Sequence, residues 1–192
     1  MSIRALALAG SLRQGSYNRL LVRQAQRQAP EGMSIEQADI RDVPLYDGDV
    51  QAGQGFPASI RRIAAQAAAA DAFLIATPEY NYSFPGVLKN VIDWLSRMPE
   101  APFQGKPMAI MSASMGGLGG ARAQYHLRQV LIYLDVQLLN KPELFIPLAH
   151  EKFSKEGELI DLPSRGALDA LLLALADKTR RRQGFEASAL VA

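Results

Sequence analysis

The chain has 192 residues, a hydrophobic fraction of 48% and a formal net charge of +2. That length suits one domain with an ordinary core, and that charge excludes a general nucleic-acid or membrane-surface binder. Cysteine is absent, which excludes disulfides, thiolate metal sites and cysteine nucleophiles and fits a cytoplasmic protein.

The opening residues, Met1 to Leu6, lack a cationic segment ahead of a long apolar run, so they do not read as a signal peptide. Ala5–Ala9 is a short continuous apolar run, the pattern of a parallel strand covered on both faces. A weakly amphipathic helix follows over 17–29, with Tyr17, Leu20, Leu21 and Ala25 on one side. A second strand is expected over Ser34–Ala38 and a Gly-rich surface loop over Tyr46–Pro57.

Ile60, Ile63, Ala64 and Ala67 then mark a helix at i, i+3, i+4, i+7. Ala72–Ala76 reads as the third strand, and Leu88, Val91, Ile92 and Leu95 as the next helix. Met108–Ser112 is the fourth strand, followed by a helix through Leu127, Val130, Leu131 and Leu134. The fifth strand is expected near Asp135–Leu139, continuing past Pro142 to Ile146. A polar connector over Lys152–Pro163 leads to a helix carrying Leu168, Leu171, Leu172 and Leu175. Residues 184–192 lack a helical period and read as a loose tail, leaving residues 1–183 as one domain.

This alternation predicts an α/β three-layer sandwich. Right-handed crossovers and five strands point to a flavodoxin-like parallel sheet in the order 2-1-3-4-5. In that order the strands reverse direction of addition between the first and third. Ligands of such sheets bind beyond the carboxyl ends there, so the loops after strands one, three and four should meet.

Those three loops are rich in chemistry. The first, Gly10–Asn18, offers a helix start with Ser16 as N-cap, hydroxyls at Ser11 and Ser16, an amide at Asn18 and a charged fork at Arg13. Gly10 and Gly15 permit the turn. The Gly-Lys-Ser/Thr ending of a nucleotide-triphosphate loop is missing, as is the G-x-G-x-x-G dinucleotide spacing. What remains is a cradle suited to a phosphate monoester. The second loop, Thr77–Ser83, offers backbone N–H groups and the Asn81 amide to the edge of a planar heteroaromatic ring, with Tyr80 or Tyr82 to cover its rim. The third, from Ser112 onward, combines Ser114, Met115, Gly116 and Gly117, whose small residues let backbone approach a flat ligand. Taken singly, Ser16 reads as an ordinary helix cap, the second loop as ordinary turn chemistry and the third as a flexible loop.

Together, in order and at this spacing, these motifs resemble the NADPH-dependent FMN reductase family, in particular its quinone and chromate reductase branch. The resemblance rests on Gly10-Ser11-x-Arg13-x-x-Ser16-x-Asn18, on Pro78-Glu79-Tyr80-Asn81 followed by Ser83, Pro85, Leu88, Lys89 and Asp93-Trp94, and on Ser112-Ala-Ser-Met-Gly-Gly117. It covers about residues 3 to 180. The resemblance implies bound FMN, its phosphate held by Ser11, Arg13, Ser16, Tyr17 and Asn18. It implies a flavin ring set against Pro78, Glu79, Tyr80, Asn81, Ser112, Ser114, Met115, Gly116 and Gly117. NADPH or NADH would deliver hydride to the flavin, and a quinone, free flavin, azo compound or metal oxyanion such as chromate would receive the electrons. No side chain stands out as a catalytic acid, with Glu79 and Tyr80 as candidates only. The family also implies a homodimer or a dimer-of-dimers tetramer, to which Arg122, Tyr125 and Glu143 would contribute near the flavin. Two other readings stay open on this fold: a flavodoxin-type electron carrier that does not itself oxidise NAD(P)H, and a phosphate-binding module without flavin.

Overall fold

The computed structural model describes residues 2–189, with side chains as far as residue 184. Its elements run β1 (Ile3–Ala9), α1 (Tyr17–Arg27), β2 (Met33–Gln37), α2 (Gly48–Gln54), α3 (Ala58–Ala69), β3 (Ala72–Ala76) and α4 (Gly86–Leu95). They continue with β4 (Pro107–Ala113), α5 (Ala121–Ile132), β5 (Gln137–Leu138), β6 (Leu144–Ile146), α6 (Ala149–Lys152) and α7 (Leu162–Ala189). The strands form one parallel sheet in the order β2-β1-β3-β4-β5, with β6 also on β4. This is the flavodoxin-like order expected from the alternation.

The pleat sorts each strand's side chains between two cores. Ala5, Ala7 and Ala9 of β1 face one core, where Leu21, Val22 and Ala25 of α1 meet Leu168, Leu171, Leu172 and Leu175 of α7. Leu6 and Leu8 face the other, with Phe73, Ile75 and the buried faces of α3, α4 and α5. All four positions read as the inner face of α3 are buried, as are all four of α4 and of α7. Burying a leucine or isoleucine this completely contributes about 1.5–3 kcal/mol, so these stripes are what hold the helices to the sheet. On α1 the buried face is rotated from the expected one. It carries Asn18, Leu21, Val22, Gln24 and Ala25, while Tyr17 and Leu20 pack only at the margin.

Three expectations change. The fifth strand is two pieces: β5 pairs with the start of β4 (Pro107↔Gln137, Met108↔Leu138) and β6 with its end (Met111↔Leu144 to Ala113↔Ile146). Pro142 has no N–H to give a ladder, and the chain leaves the sheet around it through a cis Lys141–Pro142 peptide. The Gly-rich loop at 46–57 contains a helical turn, α2, capped by Asp47, whose side chain accepts from Asp49 N at 2.8 Å. The supposed tail does not start at 184, because α7 runs on through Ala189. Backbone hydrogen bonds carry a helix without an amphipathic period. Residues 190–192 lie outside the described residues.

Candidate functional site

The register of the sheet sets the site. Ala9 stands beside Ala76, and Ala76 beside Met111. The chain therefore leaves β1 and β3 at one level and β4 two residues further on, and their three loops become neighbours at the carboxyl edge.

The first loop is a cradle of backbone donors. Its turn is closed by Ser16 N donating to Arg13 O at 3.1 Å. Ser16 caps α1, its hydroxyl accepting from Arg19 N at 3.4 Å. Among the described residues, no N–H from Ser11 to Asn18 other than that of Ser16 has an acceptor within the chain. Unpaired N–H groups converging at a helix start make an anion site. Ser11 and Ser16 lie in the floor, 4% and 2% exposed. Arg13 is exposed above, its guanidinium 5.7 Å from the centre of the Tyr17 ring.

The Asn18 side chain turns inward to β4. Its carboxamide donates to Ala113 O at 2.8 Å and accepts from Ala113 N at 2.9 Å, in a setting that is 2% exposed. It is the tie between the cradle and the end of β4. A second tie joins the cradle to the next loop, where Ser11 Oγ lies 3.3 Å from the Tyr80 hydroxyl.

The second loop ends in a tight reversal. Tyr80 N donates to Ser83 O at 2.8 Å and Ser83 N to Tyr80 O at 3.0 Å. The two central residues, Asn81 and Tyr82, both have positive φ (50° and 68°). Asparagine tolerates that backbone, but tyrosine there is strained, by about 1–3 kcal/mol. The strain presents two aromatic rings outward, Tyr80 at 51% and Tyr82 at 71% exposure. Pro78 is buried beneath them. Thr77, also buried, donates its hydroxyl to Pro78 O at 3.0 Å.

Glu79 is held below this turn, its side chain only 7% exposed. Arg122 from α5 donates to Glu79 Oε1 through Nε and forms an ion pair with the same oxygen through Nη2, and its guanidinium carbon sits 3.6 Å from the Tyr82 ring centre. The hydrogen bond to Glu79 raises the Arg122 pKa further above its ordinary value. Glu79 Oε2 is buried without a hydrogen-bond partner among the described residues. In this pair Glu79 Oε1 is the acceptor. Tyr125 and Glu143, expected to contribute to a subunit contact, meet each other within the chain, with Tyr125 Oη 3.4 Å from Glu143 Oε2.

The third loop is fastened from underneath. Ser112 is fully buried and donates to Gly119 O at 2.6 Å, while Gln124 Nε2 donates to both Ser112 Oγ and Leu144 O at 2.8 Å. Ser112, expected beside the ring, thus secures the loop through its hydroxyl. Ser114 N donates to Ile146 O at 3.0 Å, and its hydroxyl accepts from Gly116 N at 3.2 Å. Gly119 and Gly120 have φ of 60° and 90°. A Cβ on Gly120 would lie 2.8 Å from the Ser112 side chain, and one on Gly119 2.9 Å from Ile146 N. Only glycine fits between this loop and its supports. Above them Met115, Gly116, Gly117 and Leu118 are exposed.

The result is a donor-lined cradle joined to an open platform of two tyrosines, a methionine and bare glycine backbone. Thr77 and Gln124 were missed from sequence. Gln124 had a signal, being a polar residue within the buried Ala123–Leu127 face of α5.

A phosphate monoester bearing a flat heteroaromatic ring fits these residues. The unpaired N–H groups and the hydroxyls of Ser11 and Ser16 suit the phosphate, and the orphaned Glu79 Oε2 offers an acceptor to a ring N–H.

Residues 3–151 match the model of a family described as NADPH-dependent FMN reductase. The chain is 54% identical over 182 residues to an NAD(P)H-dependent FMN reductase of Pseudomonas aeruginosa, covering 95% of this chain and 98% of that one. It is 48% identical over 171 residues to a quinone reductase of Escherichia coli K12, covering 88% and 89%. Among solved structures it superposes on the flavoenzyme NAD(P)H:(acceptor) oxidoreductase FerB of Paracoccus denitrificans with a TM-score of 0.85 at 31% identity, covering 93% and 98%.

Proposed function

Because the chain belongs to the NADPH-dependent FMN reductase family, we propose that its three-loop crevice holds FMN and that the protein is an NAD(P)H-dependent reductase of quinones. Bound FMN supplies the redox chemistry, accepting hydride from NAD(P)H and passing electrons to a small-molecule acceptor. The protein's part is to bind, orient and expose.

The single observation that carries this reading is the run of N–H groups from Ser11 to Asn18 at the start of α1, all but that of Ser16 unpaired among the described residues, with Arg13 above it. In our proposal this run, with Ser11, Ser16 and Arg13, binds the phosphate, and Tyr17 supports Arg13. Asn18 keeps the cradle in register with β4. Pro78, Tyr80 and Asn81 bound the ring on one side, and Ser114, Met115, Gly116 and Gly117 approach it on the other. Glu79, oriented by Arg122, accepts from the ring edge. No side chain is assigned as a proton donor, since the platform is open to water.

The openness also supports a shared site, where the nicotinamide leaves before the acceptor arrives. Flavins, azo compounds and oxyanions such as chromate belong to the acceptor range of this proposal. So do a homodimer or dimer of dimers meeting near Arg122, Tyr125 and Glu143, a cytoplasmic location, and residues 1–183 acting as one domain.

The test is a visible absorption spectrum of the purified protein, followed by steady-state oxidation of NADPH and NADH with a quinone and no added reductase. A flavin spectrum with sustained turnover supports the proposal. A flavin spectrum without turnover supports the electron-carrier reading instead. Protein that remains colourless after FMN is added refutes both.

A further inference from the structure

A second polar cavity lies on the other side of the cradle, between β1 and β2. It encloses about 250 Å³ and shares Ser11 and Leu12 with the first loop, while its outer walls come from α1 and from the end of β2. Arg19 and Arg23 line it from one helix face, and Asp39 and Arg41 from the turn after β2.

The charges around it do not cancel. Arg41 takes both oxygens of Asp39, Nε to Oδ1 at 2.9 Å and Nη2 to Oδ2 at 2.5 Å. Behind them Arg62 pairs with Asp42 at 2.9 Å and donates to Asp39 O at 2.9 Å. These two pairs are neutral. Among the described residues, Arg19 and Arg23 have no acidic partner and no side-chain hydrogen bond. They stand at i and i+4, where like charges repel unless an anion lies between them. Two unmatched guanidinium groups at the mouth of a polar cavity balance one phosphate dianion and present it with paired donors.

Position narrows the anion's source. Neighbouring strands are spaced by about 4.8 Å, so a cavity over β1 and β2 lies roughly 10 Å from a ring site over β3. That is within the span of an extended dinucleotide whose nicotinamide rests on the platform. We propose that this cavity receives the adenosine end of NADPH, with Arg19 and Arg23 on the 2′-phosphate, so that it selects NADPH over NADH. This inference rests on the reductase reading above.

The FMN-loaded enzyme is assayed with NADPH and with NADH, and titrated with 2′,5′-ADP, 5′-AMP and inorganic phosphate. The expected result is that 2′,5′-ADP competes with NADPH and binds at least about tenfold more tightly than 5′-AMP. The double variant Arg19→Ala, Arg23→Ala should raise KM for NADPH relative to KM for NADH by about tenfold. Arg23→Gln alone should move the same ratio in the same direction, which covers loss of folding or of FMN in the double variant. An unchanged ratio in FMN-loaded variants, or 2′,5′-ADP binding no better than 5′-AMP or inorganic phosphate, overturns the proposal. Wild-type protein that oxidises neither nucleotide would sink the reductase reading instead, and the 2′,5′-ADP titration would still decide the cavity.

Discussion

The cradle at 10–18 and the platform at 78–83 and 114–118 lie side by side, yet they are built on opposite principles. The floor of the cradle is buried and cross-linked: Ser11, Ser16 and Asn18 are 4%, 2% and 2% exposed, and Asn18 ties both its carboxamide atoms into the backbone of Ala113. The platform is open and strained, with Tyr80, Tyr82 and Met115 all more than half exposed and Tyr82 held at positive φ. A pre-organised anchor loses little freedom on binding and holds a resident group firmly. An exposed aromatic surface lets successive planar ligands come and go. In the proposed function, the difference separates the work of retaining a cofactor from the work of admitting its reaction partners.

The largest way to break this contrast is to cut the anchor's tie. Asn18→Ala leaves the buried N–H and C=O of Ala113 unsatisfied, which should cost about 3 kcal/mol of stability in a denaturant titration. It should also lower FMN retention. An unchanged denaturation midpoint would show that the cradle does not depend on β4.

Next comes the support under the platform. Gly120→Ala places a Cβ 2.8 Å from Ser112 at a φ of 90°, so a loss of about 2 kcal/mol is expected in the same measurement. A tolerated alanine would mean that the third loop can shift as freely as its exposed crest suggests.

Arg13→Ala should act on binding and hardly on the fold. Losing a charge-assisted contact to a phosphate dianion weakens FMN affinity by about tenfold or more, as read by fluorescence titration of the apoprotein. Equal affinity would remove Arg13 from the anchor.

The smallest expected effect lies outside both regions, and it calibrates them. Arg41 lowers the Asp39 carboxyl pKa to about 2, chiefly by its side-chain hydrogen bond. Because the folded value lies below the ordinary one, the stabilisation is complete above about pH 4 and is lost as pH falls through about 2. The two side chains are 63% and 49% exposed, so screening limits the contribution to less than about 1 kcal/mol. Asp39→Asn should flatten the acid limb of stability by that small amount. A larger loss would place this surface pair on a par with the buried tie at Asn18.

Much of the fold was legible because helices and strands impose different periods on apolar residues. Ile60, Ile63, Ala64 and Ala67 are all buried, and so are Leu168, Leu171, Leu172 and Leu175. The break between β5 and β6 was readable only in part, since Pro142 marks a missing donor but not whether the strand resumes beyond it. The candidate site was legible as three loops but not as individual roles. Asn18 and Ser112 are the residue types that bind a ligand, and they are also the types that satisfy buried backbone groups. Sequence spacing does not distinguish an amide aimed at a phosphate from one aimed at Ala113.

By itself, then, the sequence determined the sheet order, the buried faces of α3, α4 and α7 and the convergence of three polar loops on one edge. All of these follow from local periodicity and the handedness of crossovers. The tertiary structure alone decided which polar groups stay free. Asn18, Ser112 and Gln124 bond inward to partners distant in sequence, whereas among the described residues the N–H groups from Ser11 to Asn18 other than that of Ser16, and the guanidinium groups of Arg19 and Arg23, have no partner. A hydrogen bond is settled by position in space, and that position exists only once the cores have closed.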